Sequence, residues 1–141
     1  MEDTCRIRLV LLDDHAEARD ALVRRARGHP RLKVVGATDD PDVATRMIRD
    51  ERPDAVLIDT KRSDRKGGEA LAKLSHLTAG LRPQVVVYVA LLAEGEERAA
   101  RLLGADAVIL KQLSTALLAD QLDALLDSTA QRWRKGAAAA G

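Results

Sequence analysis

The sequence predicts an α/β fold: a parallel sheet with helices on both faces. Three observations carry this prediction. Five short runs rich in Val, Ile and Leu alternate with five longer stretches whose apolar residues fall at helical spacing. The short runs are continuously apolar rather than alternating, the mark of strands buried on both faces. The connections are short, so successive strands must be joined by right-handed crossovers through the intervening helix.

Each element can be placed in order. The first strand is predicted over Ile7–Leu12 (IRLVLL), followed by a helix over about 16–28 that sets Ala18, Leu22 and Ala26 four apart and stops at Gly28. A second strand covers Leu32–Gly36. Asp40-Pro41 then offers an N-cap with proline at the first helical position, opening a helix over about 41–51 with Val43, Met47 and Ile48 inward. The third strand is Ala55–Ile58, and a helix over about 68–79 aligns Leu71, Leu74 and Leu77 before Gly80. The fourth strand is Gln84–Val89, with a helix over about 94–103 that aligns Ala99, Leu102 and Leu103. The fifth is Ala107–Leu110. Ser114 can cap the last helix, over about 115–134, which carries Leu118, Leu122, Leu125 and Leu126. From Arg134 the chain (RKGAAAAG) is small and unpatterned and reads as a linker end or frayed terminus.

Composition narrows the function. With 141 residues, one domain is expected, placed at 1–128, with 129–141 as the end of the last helix and a flexible tail or linker. The 23 basic and 22 acidic side chains balance to +1, which argues against holding nucleic acid by bulk electrostatics. No Phe, one Tyr (Tyr88) and one Trp (Trp133) leave few platforms for stacking bases, so direct nucleic-acid binding is not expected. A single cysteine, Cys5, excludes a disulfide framework and a cysteine zinc cluster. No apolar run approaches the roughly 18 residues of a membrane span, and the first strand is wrongly flanked for a signal peptide. A soluble, cytoplasmic domain is expected. The excess of Arg over Lys and the abundance of Ala suit a GC-rich bacterial genome.

In open parallel sheets, ligands gather at the carboxyl ends of the strands. There the first strand ends in Asp13-Asp14, the third in Asp59, and the fifth runs into Lys111. Three clustered carboxylates repel one another, and a hard divalent cation such as Mg²⁺ is the usual relief. A carboxylate spared from the metal can attack a phosphoryl group, while a nearby lysine offers a compact charge to the phosphoryl oxygens. Taken singly, Asp14 could cap the following helix, Asp59 is an ordinary turn residue and Lys111 a solvated lysine. Their joint appearance at three strand ends favours a shared site.

These pieces resemble the receiver domain of two-component response regulators: LVLLDD at the first strand, VLIDT at the third, Gly67 eight residues beyond Asp59, and GADAVILK leading to Lys111. The resemblance covers about residues 6–128. It implies a doubly wound (βα)₅, flavodoxin-like sheet with strand order 2-1-3-4-5. It further implies that Asp59 is the phosphoacceptor and a Mg²⁺ ligand, with Asp14 the direct Mg²⁺ ligand and Asp13 beside it. The Lys61 backbone carbonyl would be a further ligand, and Lys111 would pair with the phosphate. LSTALLADQL looks most like the branch that usually carries a helix-turn-helix output domain.

The chain also departs from that pattern. Val89 stands where the family keeps a switch Thr or Ser, and Val108 where it keeps a switch aromatic. The loop after Asp59 (TKRSDRKGG) lacks a Met-Pro pair and presents Lys61, Arg62, Arg65 and Lys66, either a solvated basic loop or a lure for an anionic donor. Leu91 and Leu92 are expected beneath the fourth helix, and His15, a lone imidazole, on the surface. The expected function is a signalling receiver phosphorylated on Asp59 by a histidine kinase or other phosphodonor, with weakened switching. It would pair as a homodimer through the last helix, where Trp133 lies, and its neighbours. The alternative is a degenerate receiver acting as a phosphorylation-independent interaction module, possibly regulating a helix-turn-helix transcription factor. An aspartyl phosphohydrolase would need an acid where Lys61 stands, and no glycine-rich loop supports a dinucleotide site.

Overall fold

The computed structural model describes residues 6–140 apart from Gly80 and Arg82, with side chains as far as Ser128. Its elements run β1 (Ile7–Leu12), α1 (Ala16–Arg27), β2 (Leu32–Thr38), α2 (Pro41–Glu51), β3 (Ala55–Ile58), α3 (Gly67–Thr78), β4 (Gln84–Val89), α4 (Glu96–Leu102), β5 (Ala107–Leu110) and α5 (Thr115–Ala140). All strand pairings are parallel, in the order β2-β1-β3-β4-β5, the doubly wound flavodoxin-like α/β fold. The roles expected of Cys5, of Gly80 as a helix stop and of Trp133 fall outside the described residues or side chains, and α5 continues through Arg134 to Ala140 where an unpatterned linker end was expected.

The punctuation works as the residue types dictate. The Asp40 carboxylate accepts from the Asp42 N–H above Pro41, Gly28 caps α1, and the Ser114 hydroxyl accepts from the Leu117 N–H. β2 runs two residues beyond its sequence limit because its pairing with β1 continues to Leu12 opposite Thr38. A register shift between Leu9 and Val10 absorbs one extra residue of β2.

Two apolar layers sandwich the sheet. One holds Leu9, Leu11, Leu22, Leu57, Val86, Leu118 and Leu122; the other holds Val10, Leu12, Ile48, Val56, Ile58, Leu71, Leu74 and Val87. Alternate residues of β1 and β3 feed opposite layers, so a strand buried on both faces must be apolar throughout. That holds fully for β3 and, apart from Arg8 and Gln84 near their first residues, for β1 and β4. The edge strands differ: much of β2 is half-buried, and in β5 only Ile109 is buried, since each edge strand has a neighbour on one side only.

The fourth helix corrects the sequence reading. Glu94-Gly95 forms a turn, with Gly95 at φ +83°, so α4 spans Glu96–Leu102 and turns Ala100 inward. Leu102 is 79% exposed and Leu103 42%, whereas both were expected in the core. Leu91 is also exposed, against expectation, while Leu92 packs against the second apolar layer as expected.

Candidate functional site

The sheet's backbone hydrogen bonds continue one residue past the strands that carry the polar residues. Asp13 N–H donates to the Thr38 carbonyl (3.0 Å), Asp59 N–H to Leu12 (2.9 Å), and Lys111 N–H to Val89 (2.8 Å). Each functional residue is thus pinned at its backbone by a neighbouring strand, and the parallel arrangement puts all three at one edge. Lys111 starts from β5, two strands away from β3. Two strand spacings amount to about 9.5 Å, so a long, flexible stem is needed to reach the acids.

Lys111 Nζ donates to Asp13 Oδ2 at 2.6 Å and to Asp59 Oδ2 at 2.7 Å. The side chains of Asp13 and Asp59 are only 9% and 4% exposed, so this bridging ammonium offsets charge that solvent cannot screen. Burial pulls the Lys111 ammonium down, but its hydrogen bonds to Asp13 and Asp59 outweigh that and hold its pKa above the ordinary value. The other Asp59 oxygen, Oδ1, accepts from the Lys61 N–H at 2.7 Å. The Arg19 guanidinium donates to the Asp13 carbonyl at 2.7 Å, tying α1 to the same corner.

Asp14 does not cap α1, as its bland reading had it. Its Oδ2 accepts from both the N–H (2.9 Å) and the hydroxyl (2.8 Å) of Ser63 in the β3–α3 loop. Burial raises its pKa, but the two Ser63 bonds and the charges of His15 and Arg62 outweigh that and hold the carboxyl below the ordinary range. Its Oδ1 is buried and accepts no hydrogen bond. A buried carboxylate oxygen left bare is costly unless a cation completes it. Beside it stand further carboxylate oxygens, and this hard donor set suits Mg²⁺.

Ser63 and His15 are the site residues that sequence reasoning missed. The loop after Asp59 has no proline, so its N–H groups are all available to donate, and that was the signal for Ser63. His15 Nδ1 lies 2.9 Å from Asp13 Oδ1, 3.3 Å from Asp14 Oδ1 and 3.3 Å from Asp59 Oδ2. Its ring is half-exposed, as a surface histidine would be, yet its nitrogen sits among all three acids. Direct adjacency to Asp13-Asp14 was the available signal.

Two of the four basic residues of the loop after Asp59 are paired. Lys61 bonds to Glu96 at the start of α4, and the Arg62 side chain is buried beside Asp64, leaving Arg65 and Lys66 exposed. Gly67 is required where it stands: a Cβ there would lie 1.8 Å from the Thr60 carbonyl oxygen. Val89, fully buried, ends β4 beside Lys111, and Val108 packs half-buried against the second apolar layer.

The response regulator receiver domain model matches residues 9–123. A protein-glutamate methylesterase/protein-glutamine glutaminase of Nitrosomonas europaea is 37% identical over 63% of this chain and 24% of its own length. One of Ralstonia nicotianae is 29% identical over 97% of this chain and 35% of its own. The chain therefore spans only about a quarter to a third of the length of these curated relatives. Among solved structures, a LuxR-family two-component response regulator from Aurantimonas superposes with TM-score 0.74 at 24% identity over 87% of this chain and 86% of the other. The response regulator domain of Thermotoga maritima CheB does so with TM-score 0.61 at 24% identity over 92% and 95%. With the family model spanning most of the fold and the acid cluster assembled at the matching strand ends, the chain belongs to the response regulator receiver domains of two-component signalling.

Proposed function

We propose that this receiver takes a phosphoryl group onto Asp59 with Mg²⁺ held at Asp14, Asp13, Asp59 and the Lys61 backbone carbonyl, and that it switches less strongly than receivers with a full switch couple. One observation carries the reading: Asp59 and Asp13 share the Lys111 ammonium while the buried Asp14 Oδ1 is left without a hydrogen bond. In the transfer, an Asp59 carboxylate oxygen bonds to phosphorus as the donor's phosphorus–nitrogen or phosphorus–oxygen bond breaks, and the leaving group keeps the electron pair. Bound Mg²⁺ would supply positive charge to the phosphoryl oxygens. Lys111 can follow Asp59 Oδ2 to the same oxygens, releasing Asp13, and Lys61 N–H continues to orient the carboxylate.

A histidine kinase or small phosphodonor is the proposed source, in the cytoplasm, and output is through protein contacts rather than nucleic acid bound by this chain. Leucines exposed on α4, β5 and α5 (Leu102, Leu110 and Leu117) support a homodimer on that side. The intact mass after exposure to acetyl phosphate with Mg²⁺ tests the proposal. One added phosphoryl group, absent in Asp59→Asn, is expected. No mass gain in the wild type would move the reading to a phosphorylation-independent interaction module.

A further inference from the structure

The nitrogen among the acids has chemistry that an all-oxygen magnesium site lacks. His15 Nδ1 is within 3.3 Å of one oxygen from each of Asp13, Asp14 and Asp59, where those three carboxylates converge. The Asp14 oxygen it faces is the buried one without a hydrogen bond. The His15 backbone N–H donates to Asp13 Oδ1 at 2.8 Å, which anchors the residue's backbone against the cluster, while the side chain is 49% exposed. Candidate ligand atoms of Asp13, Asp14 and His15 all lie within 4.8 Å of one another. Ligands facing each other across an ion stand about 4.2 Å apart when each bond is about 2.1 Å, so a small ring movement closes the set.

We infer that His15 Nδ1 is a metal ligand in this chain, making the site a mixed carboxylate–imidazole centre that takes a divalent first-row transition cation such as Mn²⁺ in preference to Mg²⁺. Magnesium favours oxygen donors and sheds water reluctantly, so an imidazole adds little to its binding. Manganese and the later divalent ions accept carboxylate and imidazole together, and a nitrogen ligand raises their affinity. Ser63 assists by holding Asp14 Oδ2, which leaves Oδ1 to bind an ion through one oxygen alone. The inference rests on the proposed acidic metal site and specifies which ion class that site selects.

The test is titration of the full chain with MnCl₂ or MgCl₂ alone, by calorimetry, for wild type, His15→Ala and Asp14→Asn. Pulsed electron paramagnetic resonance of the Mn²⁺ complex reads nitrogen coupling directly. The wild type is expected to bind Mn²⁺ more tightly than Mg²⁺ and to show imidazole nitrogen coupling. His15→Ala should lose the coupling and weaken Mn²⁺ roughly tenfold or more, as losing a ligand costs at least what losing an outer-shell partner does, with little change for Mg²⁺. Mn²⁺ binding that Asp14→Asn abolishes but His15→Ala leaves unchanged, without nitrogen coupling, overturns this inference and leaves the acidic site standing. Failure of the wild type to bind either ion overturns both.

Discussion

Asp14 illustrates how far a single side chain can be read from its neighbours. Burial opposes its charge, and two Ser63 bonds more than restore it, so its pKa in the fold lies below the ordinary 3.8. A carboxyl depressed on folding contributes stability that is present above the ordinary value and is lost as pH falls through the folded one. Ser63→Ala removes the hydroxyl donor and keeps the N–H, so the Asp14 midpoint should move up toward 3.8; a carbon-detected carboxylate titration that leaves it in place would refute this. For the proposed phosphoryl switch, Val89 is the other decisive residue. A hydroxyl at this position would donate to a phosphoryl oxygen only in the active state, a charge-assisted bond of about 1.5–3 kcal/mol. Inverting a two-state balance takes on the order of 5.5 kcal/mol, so under the proposed reading its absence would remove a large share of the coupling. Val108 has no ring to relay the remainder. Chemical-shift changes on phosphorylation across β4 and α4 should therefore be smaller in the wild type than in Val89→Thr, and equal changes would show that the switch works without its hydroxyl.

Among the elements, α4 differs most from its sequence reading. Its apolar spacing is real, but the helix is only seven residues long and Ala100 alone is buried, so Leu102 projects into solvent. Leu117 of α5 is 49% exposed and Leu110 of β5 38%, and neither belongs to either apolar layer. The proposed dimer explains them. Leu102→Asp together with Leu117→Asp should shift sedimentation from dimer to monomer while changing unfolding free energy by no more than about 0.5 kcal/mol per site. A monomeric wild type at high concentration, with or without phosphodonor, would remove this account of the exposed leucines. The β3–α3 connection shows the opposite case. Gly67 cannot carry a side chain so close to Thr60, and the tight loop this permits brings Ser63 back over Asp14.

At the scale of the molecule, two separate apolar layers support one site. Leu74 and Leu122 are fully buried on opposite faces of the sheet, in different clusters. Truncating either to alanine should cost about 2–5 kcal/mol in urea unfolding. Because the two clusters lie on opposite faces, the double variant should equal the sum within about 0.5 kcal/mol. A large departure would mean that the sheet transmits strain between its faces. No helix among the described residues is long and apolar enough to cross a membrane.

The sequence by itself determined the strands, whose limits at β1, β3, β4 and β5 match residue for residue. A strand covered on both faces is apolar at nearly every position, and such a run is visible without any knowledge of its partners. It also determined that Asp13, Asp14, Asp59 and Lys111 would meet, because a parallel sheet sends the ends of its strands to one edge. Which oxygen each cation takes was not legible. The Ser63 bonds to Asp14 arise from a loop folding back over another strand's end, a contact between residues 49 apart, and the direction of the His15 ring toward Asp59 is likewise set only in the fold. The exposure of Leu102 was equally hidden, since periodicity gives a helix an apolar side but not the depth at which it packs. Local pattern decides which residues can be buried, and only the tertiary structure decides which neighbours they find there.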